Sequence, residues 1–170
     1  MKKPVLSTYK ILMQKSLDLP IGEEGVDWAI EMIEAGFESE NLYMLAGHSK
    51  PYNSFELGEL TNCVLKDLGL DYSNHDSTTK NYVYYLIKES IDRPATYLKT
   101  LSELCNICRE LNYDERYMNF YFLYYAKDEL KLFNVQFYWD GADRNNIDKI
   151  IAEQFNNWII HYELEKATPT

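Results

Sequence analysis

The sequence predicts an all-α or mainly α protein, with about eight helices in an orthogonal or solenoid-like stack. Three observations carry that prediction. Apolar residues recur at helical spacing through most of the 170-residue chain. Only seven glycines and five prolines punctuate it, and most fall where such a run starts or stops. Short connections join successive runs, which favours helices packed on their sequence neighbours. The length suits one domain, 1–170, with a core of its own.

The first run, about Pro4 to Leu17, keeps Val5, Tyr9, Leu12 and Met13 on one side, with Pro4 suited to a first helical position. The second runs from Glu23 to Ala35 with Val26, Ile30, Ile33 and Phe37 as its apolar stripe and Ala29 and Met32 beside them, and Gly36 fits a C-terminal cap. The third is short: Ser39 suits an N-cap, Leu42, Leu45 and Ala46 form its apolar side, and Gly47 stops it. After Pro51, Asn53-x-x-Glu56 reads as a capping box opening a fourth helix that carries Leu57, Leu60, Val64 and Leu68 and ends at Gly69. A polar loop, Asp71 to Thr79, precedes a fifth helix over about Thr78 to Ile91. Pro94 opens a sixth with a stripe from Tyr97 to Leu111. Asp114 caps an aromatic-rich seventh to about Leu130, and an eighth covers Asn146 to Glu165. One segment departs from this pattern. Phe133, Val135, Phe137 and Trp139 alternate with Asn134, Gln136 and Tyr138, which is strand periodicity. A small β-hairpin around 118–139 is therefore the one exception expected to an all-helical fold.

Charge excludes whole classes of partner. Net charge is −10, so duplex DNA, RNA or an anionic membrane surface is not expected, whereas a basic protein is compatible. The chain opens with no apolar stretch of signal-peptide type, and no segment is long enough to span a bilayer; a cytoplasmic location follows as the expectation. Three cysteines, Cys63, Cys105 and Cys108, are expected as reduced thiols. Cys105 and Cys108 lie mid-helix on the apolar face, which is core spacing and not the helix-start position of a redox pair. His48, His75 and His161 stand apart from any catalytic or ligating neighbour, and the Asp140–Asp148 stretch lacks the glycine and glutamate positions of a calcium loop. No phosphate loop or nucleophile elbow is present, and neither metal nor cofactor is expected.

The acids are unevenly placed. Residues 1–20 carry net +3, residues 21–76 net −10 and residues 77–170 net −3. Within the acidic third, Glu24, Asp27, Glu31, Glu34 and Glu38 step by 3, 4, 3 and 4, which puts all five on one face of the second helix. Like charges at i,i+4 cost a few tenths of a kcal/mol each. A solvated face is the ordinary outcome; a docking surface for a basic partner is the functional one.

The block DWAIEMIEAGFESENLYMLAG, followed by a capped helix, resembles small bacterial helical proteins of unassigned function. Some of these act as immunity proteins beside secreted polymorphic toxins. The likeness covers Asp27 to Leu70 and carries over no functional residue. It implies a non-enzymatic binder of a toxin domain. The alternative is an enzyme or small-ligand-binding domain whose site assembles from scattered residues such as His48, His161 and tyrosines.

Overall fold

A computed structural model describes residues 2–167. They form α1 (Thr8–Ser16), α2 (Glu23–Glu34), α3 (Glu40–Ala46), α4 (Ser54–Asp67), α5 (His75–Ser90), α6 (Tyr97–Glu110), α7 (Met118–Phe133) and α8 (Ile147–Ala167). Short 3-10 turns at Pro94–Thr96 and Glu115–Tyr117 lead into α6 and α7. No strand occurs among the described residues, so the all-helical expectation holds and the hairpin around 118–139 is corrected. The alternating residues instead end α7 and enter a loop that the Gln136 side chain organises.

Several boundaries also move. Pro4 lies outside α1, which starts at Thr8 after a turn at Leu6–Ser7. The polar loop after α4 is shorter than expected. Asn74 Oδ1 accepts from the Ser77 amide at 3.0 Å, and α5 starts at His75. Caps read from the sequence stand elsewhere. Ser39 Oγ accepts from the Leu42 amide at 3.0 Å, and Asn53 Oδ1 accepts from the amides of Phe55 and Glu56. The reciprocal bond of the capping box is not made: Glu56 is exposed and does not reach back to Asn53.

The chain gathers into two units, Met1–Tyr85 and Leu86–Thr170, with the boundary inside α5. In the first, α1 lies against α2, α2 against α3 and α3 against α4; in the second, α6 lies against α7 and α7 against α8. Every one of these pairs is a sequence neighbour, as short connections require.

The first unit is built on α2. Its buried residues are Gly25, Val26, Trp28, Ala29 and Met32, so the buried face centres between Gly25 and Ala29: it keeps Val26, has Ile33 packed partly buried at its edge, extends round to Trp28 and leaves Ile30 out. At 3.6 residues per turn its centre is rotated from the expected stripe by about 100° about the helix axis. Ile30 is left 42% exposed. Trp28 forces the rotation. Burying its ring removes the largest apolar surface in the segment from water, and its indole N–H then needs an acceptor. Thr8, the first residue of α1, supplies it: Trp28 Nε1 donates to Thr8 Oγ1 at 2.9 Å. Ile11, Leu12, Ile21, Leu42, Leu45, Leu57, Val64 and Leu65 close the cluster around it. Gly25 lets this happen, because a Cβ there would stand 2.3 Å from Cγ2 of fully buried Ile21.

In the second unit, Phe120 and Tyr97 pack edge-on against Phe155, and Trp158 stacks on Tyr117 and Tyr162. These contacts join α8 to α6 and α7 through aromatic rings.

Two glycines inside helices should respond oppositely to alanine. Gly58 in α4 has open space where a Cβ would stand, so Gly58→Ala should raise stability by about 0.5–1 kcal/mol through helix propensity. Gly25→Ala should lower it by about 1–3 kcal/mol, because Ile21 has nowhere to move. Chemical denaturation of the two variants decides; a loss at Gly58 or a gain at Gly25 contradicts the packing described.

Candidate functional site

The rotation of α2 settles where its acids stand. Asp27 and Glu34 lie opposite the centre of the buried face, whereas Glu24 and Glu31, one turn before and one turn after Trp28, flank its Trp28 edge. Glu38 does not share that helix. α2 ends at Glu34, Gly36 takes a left-handed conformation (φ +82°), and Glu38 falls in the link to α3, just before the Ser39 cap. The stripe is therefore four residues on α2 and one beyond it, which corrects the expected single helix face.

The acids also differ in what they touch. Glu24 is partly buried. Its Oε1 accepts from Gln14 Nε2 at 2.8 Å and from the Gly22 amide at 3.1 Å. Burial pushes its pKa up, but those hydrogen bonds, with its own amide and the charge of Lys10, outweigh burial and hold it below the ordinary value. Glu31 accepts from Ser7 Oγ. With Ser7 on Glu31 and Gln14 on Glu24, α1 runs antiparallel along one flank of α2. The basic start of the chain thus lies beside the acidic helix; Lys2 Nζ donates to the Gly36 carbonyl at the far end. On the other flank, Lys50 pairs with Glu23 at 2.8 Å and its charge also reaches Asp27. That pair is exposed on both sides and contributes little to stability.

Asp27, Glu34 and Glu38 are exposed, and none makes a side-chain hydrogen bond or ion pair among the described residues. The acids without such bonds are therefore Asp27, Glu34 and Glu38, with partly exposed Ile30 among them, while Glu24 and Glu31 are bonded to Gln14 and Ser7. Sequence spacing shows the acids but not this division, because Ser7 and Gln14 are distant in the chain and carry no charge.

Cys105 and Cys108 are buried on α6, and Cys108 Sγ approaches Met118 Sδ at 3.7 Å. Burial pushes both thiols up in pKa, which leaves them poor nucleophiles. Cys63 is exposed. Within the first unit, the half-buried His48 imidazole makes no side-chain hydrogen bond, and exposed His75 opens α5. In the second unit, His161 faces Glu165 one turn away at 3.3 Å. No group of three or more His, Cys, Asp or Glu side chains among the described residues converges as a metal site would require. No described helix is long and apolar enough to cross a membrane.

An open groove of about 360 Å³ in the second unit is lined by Lys127, Leu130, Lys131, Arg144, Ile147 and Asp148. Two of its three cations serve the fold. Lys127 pairs with Asp148, and Arg144 donates to the carbonyls of Leu130 and Lys131, which close the end of α7.

Comparison with family models, with curated proteins and with solved structures finds no match to this chain.

Two measurements follow from this geometry. In the folded state one thiol, Cys63, should react rapidly with a disulfide reagent, and Cys105 and Cys108 only after unfolding. Rapid reaction of all three contradicts their burial. Glu24 should contribute stability that is fully present above its ordinary pKa of 4.5 and is lost as pH falls through its lower folded value. The stability difference between wild type and Glu24→Gln should therefore shrink from pH 7 towards pH 3. A difference that is flat across that range contradicts the depressed pKa.

Proposed function

We propose that this chain is a non-enzymatic protein-binding domain acting in the cytoplasm, with a basic protein as partner, and that it works as an immunity-type inhibitor of a toxin domain. One observation carries the protein-binding part. On the outer side of α2, Asp27 and Glu34 stand exposed around a partly exposed Ile30 without a hydrogen bond or ion pair, although the charge of Lys50 reaches Asp27. Glu38 continues the acidic run past the end of the helix. Carboxylates that the fold employs, Glu24 and Glu31, have bonds to α1; these three do not. Acids left unpaired beside an apolar side chain are what a basic surface recognises. Their summed field speeds encounter, and Ile30 supplies apolar contact at the centre. The immunity-type part rests on the likeness of Asp27–Leu70 to that class and on the sign of the charge.

The surface is tested by reversing charges that the fold does not need. Asp27→Lys with Glu34→Lys should slow association with the partner and weaken binding. The free protein should be about as stable as wild type, because neither side chain makes a hydrogen bond or ion pair and the relief of like-charge repulsion along the helix offsets the lost attraction of Asp27 for exposed Lys50. Wild-type association should slow as salt rises, since exposed charges are screened beyond about 8 Å at physiological ionic strength. Stopped-flow binding at two salt concentrations reads both effects. Unchanged binding and a flat salt response remove α2 as the docking face.

A further inference from the structure

The loop between α7 and α8, residues 134–146, has an unusual combination of order and exposure. Loops of this length without secondary structure of their own are commonly functional or disordered. This one is held from within. The Gln136 side chain accepts from the amides of Tyr138 and Trp139 at 2.7 and 2.8 Å and donates to the carbonyls of Trp139 and Ala142 at 2.7 and 3.0 Å. Tyr138 stacks on Tyr125 of α7 with ring centroids 5.2 Å apart. Arg144 ties the far end back to α7 at 2.7 and 3.1 Å, and Asn146 Nδ2 donates to the Gly141 carbonyl.

Held this way, the segment exposes its apolar side chains. Phe133 is 71%, Val135 54% and Phe137 87% exposed, and Leu132 beside them is exposed too. Phe133, Val135 and Phe137 face water while Gln136 and Trp139 are half-buried, so the alternation of the sequence is not matched by alternating burial. Large aromatics presented on a pre-ordered backbone are suited to anchor a complex, because little further ordering is required on binding.

Charge decides among the occupants. Between residues 127 and 148 there are five acids, Asp128, Glu129, Asp140, Asp143 and Asp148, against Lys127, Lys131 and Arg144. Lys127 is paired with Asp148, and Arg144 is held on carbonyls. A bilayer of anionic lipid would meet net negative charge. A second copy, docked face to face, would set like charges opposite each other. We propose that this loop, together with the last residue of α7, is a second docking element: Phe133 and Phe137 enter an apolar pocket of a protein partner, and Lys or Arg side chains on the pocket rim meet Asp140 and Asp143. It rests on the proposed protein-binding role for the kind of partner, and on the second unit alone for the surface.

The test uses the full chain. Photoreactive benzoylphenylalanine is placed at position 137, and separately at position 30, and each protein is irradiated in an extract of the source cells. Any protein whose adduct is competed away by excess wild type is then purified and its binding measured directly. The expected result is an adduct from position 137 with a protein of net positive charge. Phe137→Ser and Val135→Ser should each weaken its binding by about tenfold or more, with unchanged thermal melting. No competed adduct from position 137, a captured protein of net negative charge, or affinities within about twofold of wild type in both variants would each overturn the proposal. So would a wild-type dimer that Phe137→Ser turns into a monomer, or sedimentation with phosphatidylcholine–phosphatidylserine vesicles that the same variant abolishes. The two surfaces fail separately. Weakening by Asp27→Lys with Glu34→Lys but not by Phe137→Ser removes the loop and keeps the acidic face; the opposite pattern keeps the loop and removes the face.

Discussion

The hydrogen bond from Trp28 to Thr8 is the constraint on which the first unit depends. A buried indole N–H without an acceptor costs about 1–3 kcal/mol, so the ring is stable in the core only with Thr8 at hand. That requirement places α1 beside α2 and sets the rotation of α2 about its own axis. Thr8 Oγ1 in turn faces Met32 Sδ at 3.6 Å, so one hydroxyl contacts two residues of the buried face. Once Trp28, Ala29 and Met32 point inward, residues 27 and 34 must point outward. The exposed acids are thus a consequence of where the largest side chain of the segment went.

Helix ends are specified by short-range chemistry that repeats along the chain. After α2, the Gly36 amide donates to Ile33 and the Phe37 amide to Met32, which is the Schellman arrangement. After α4, Gly69 and Leu70 repeat it with Lys66 and Leu65 as acceptors. Two further helices make the same turn without glycine. Asp18 after α1 (φ 52°) and Asn112 after α6 (φ 55°) take the left-handed position, with Leu19 and Tyr113 completing the pair of bonds. Asn and Asp tolerate that conformation better than other side chains, which makes them suitable stops where no glycine is available. α7 ends differently: Asn134 is left-handed, and a distant guanidinium, Arg144, takes the last carbonyls.

That difference links the end of α7 to the loop that follows it. By binding Leu130 and Lys131, Arg144 closes the helix and fixes the return of the chain to α8. Gln136 fills the interior of the loop with hydrogen bonds that a strand partner would otherwise supply. The aromatic run on α7 gains from the same return, since Tyr125 finds Tyr138 and continues a ladder through Tyr121 to Tyr113. Tyrosine count alone does not distinguish such a ladder from scattered rings.

By itself the sequence determined the helical class, most of the helix ends and the clustering of acid in and just after the second helix. These depend on neighbours within a few residues: Ser39, Asn53, Gly36, Gly69 and Pro94 act on amides, carbonyls and backbone angles close by. It also marked Cys105 and Cys108 as core, because both recur on the stripe of α6. Tertiary structure decided what local spacing does not contain. It chose Trp28 over Ile30 for the interior, because size and the Thr8 acceptor outweigh a regular aliphatic stripe. It separated Glu24 and Glu31 from Asp27 and Glu34, because Gln14 and Ser7 come from another helix. And it turned the alternation at 133–139 into a loop, because one side chain, Gln136, satisfied the backbone that a strand would have had to pair.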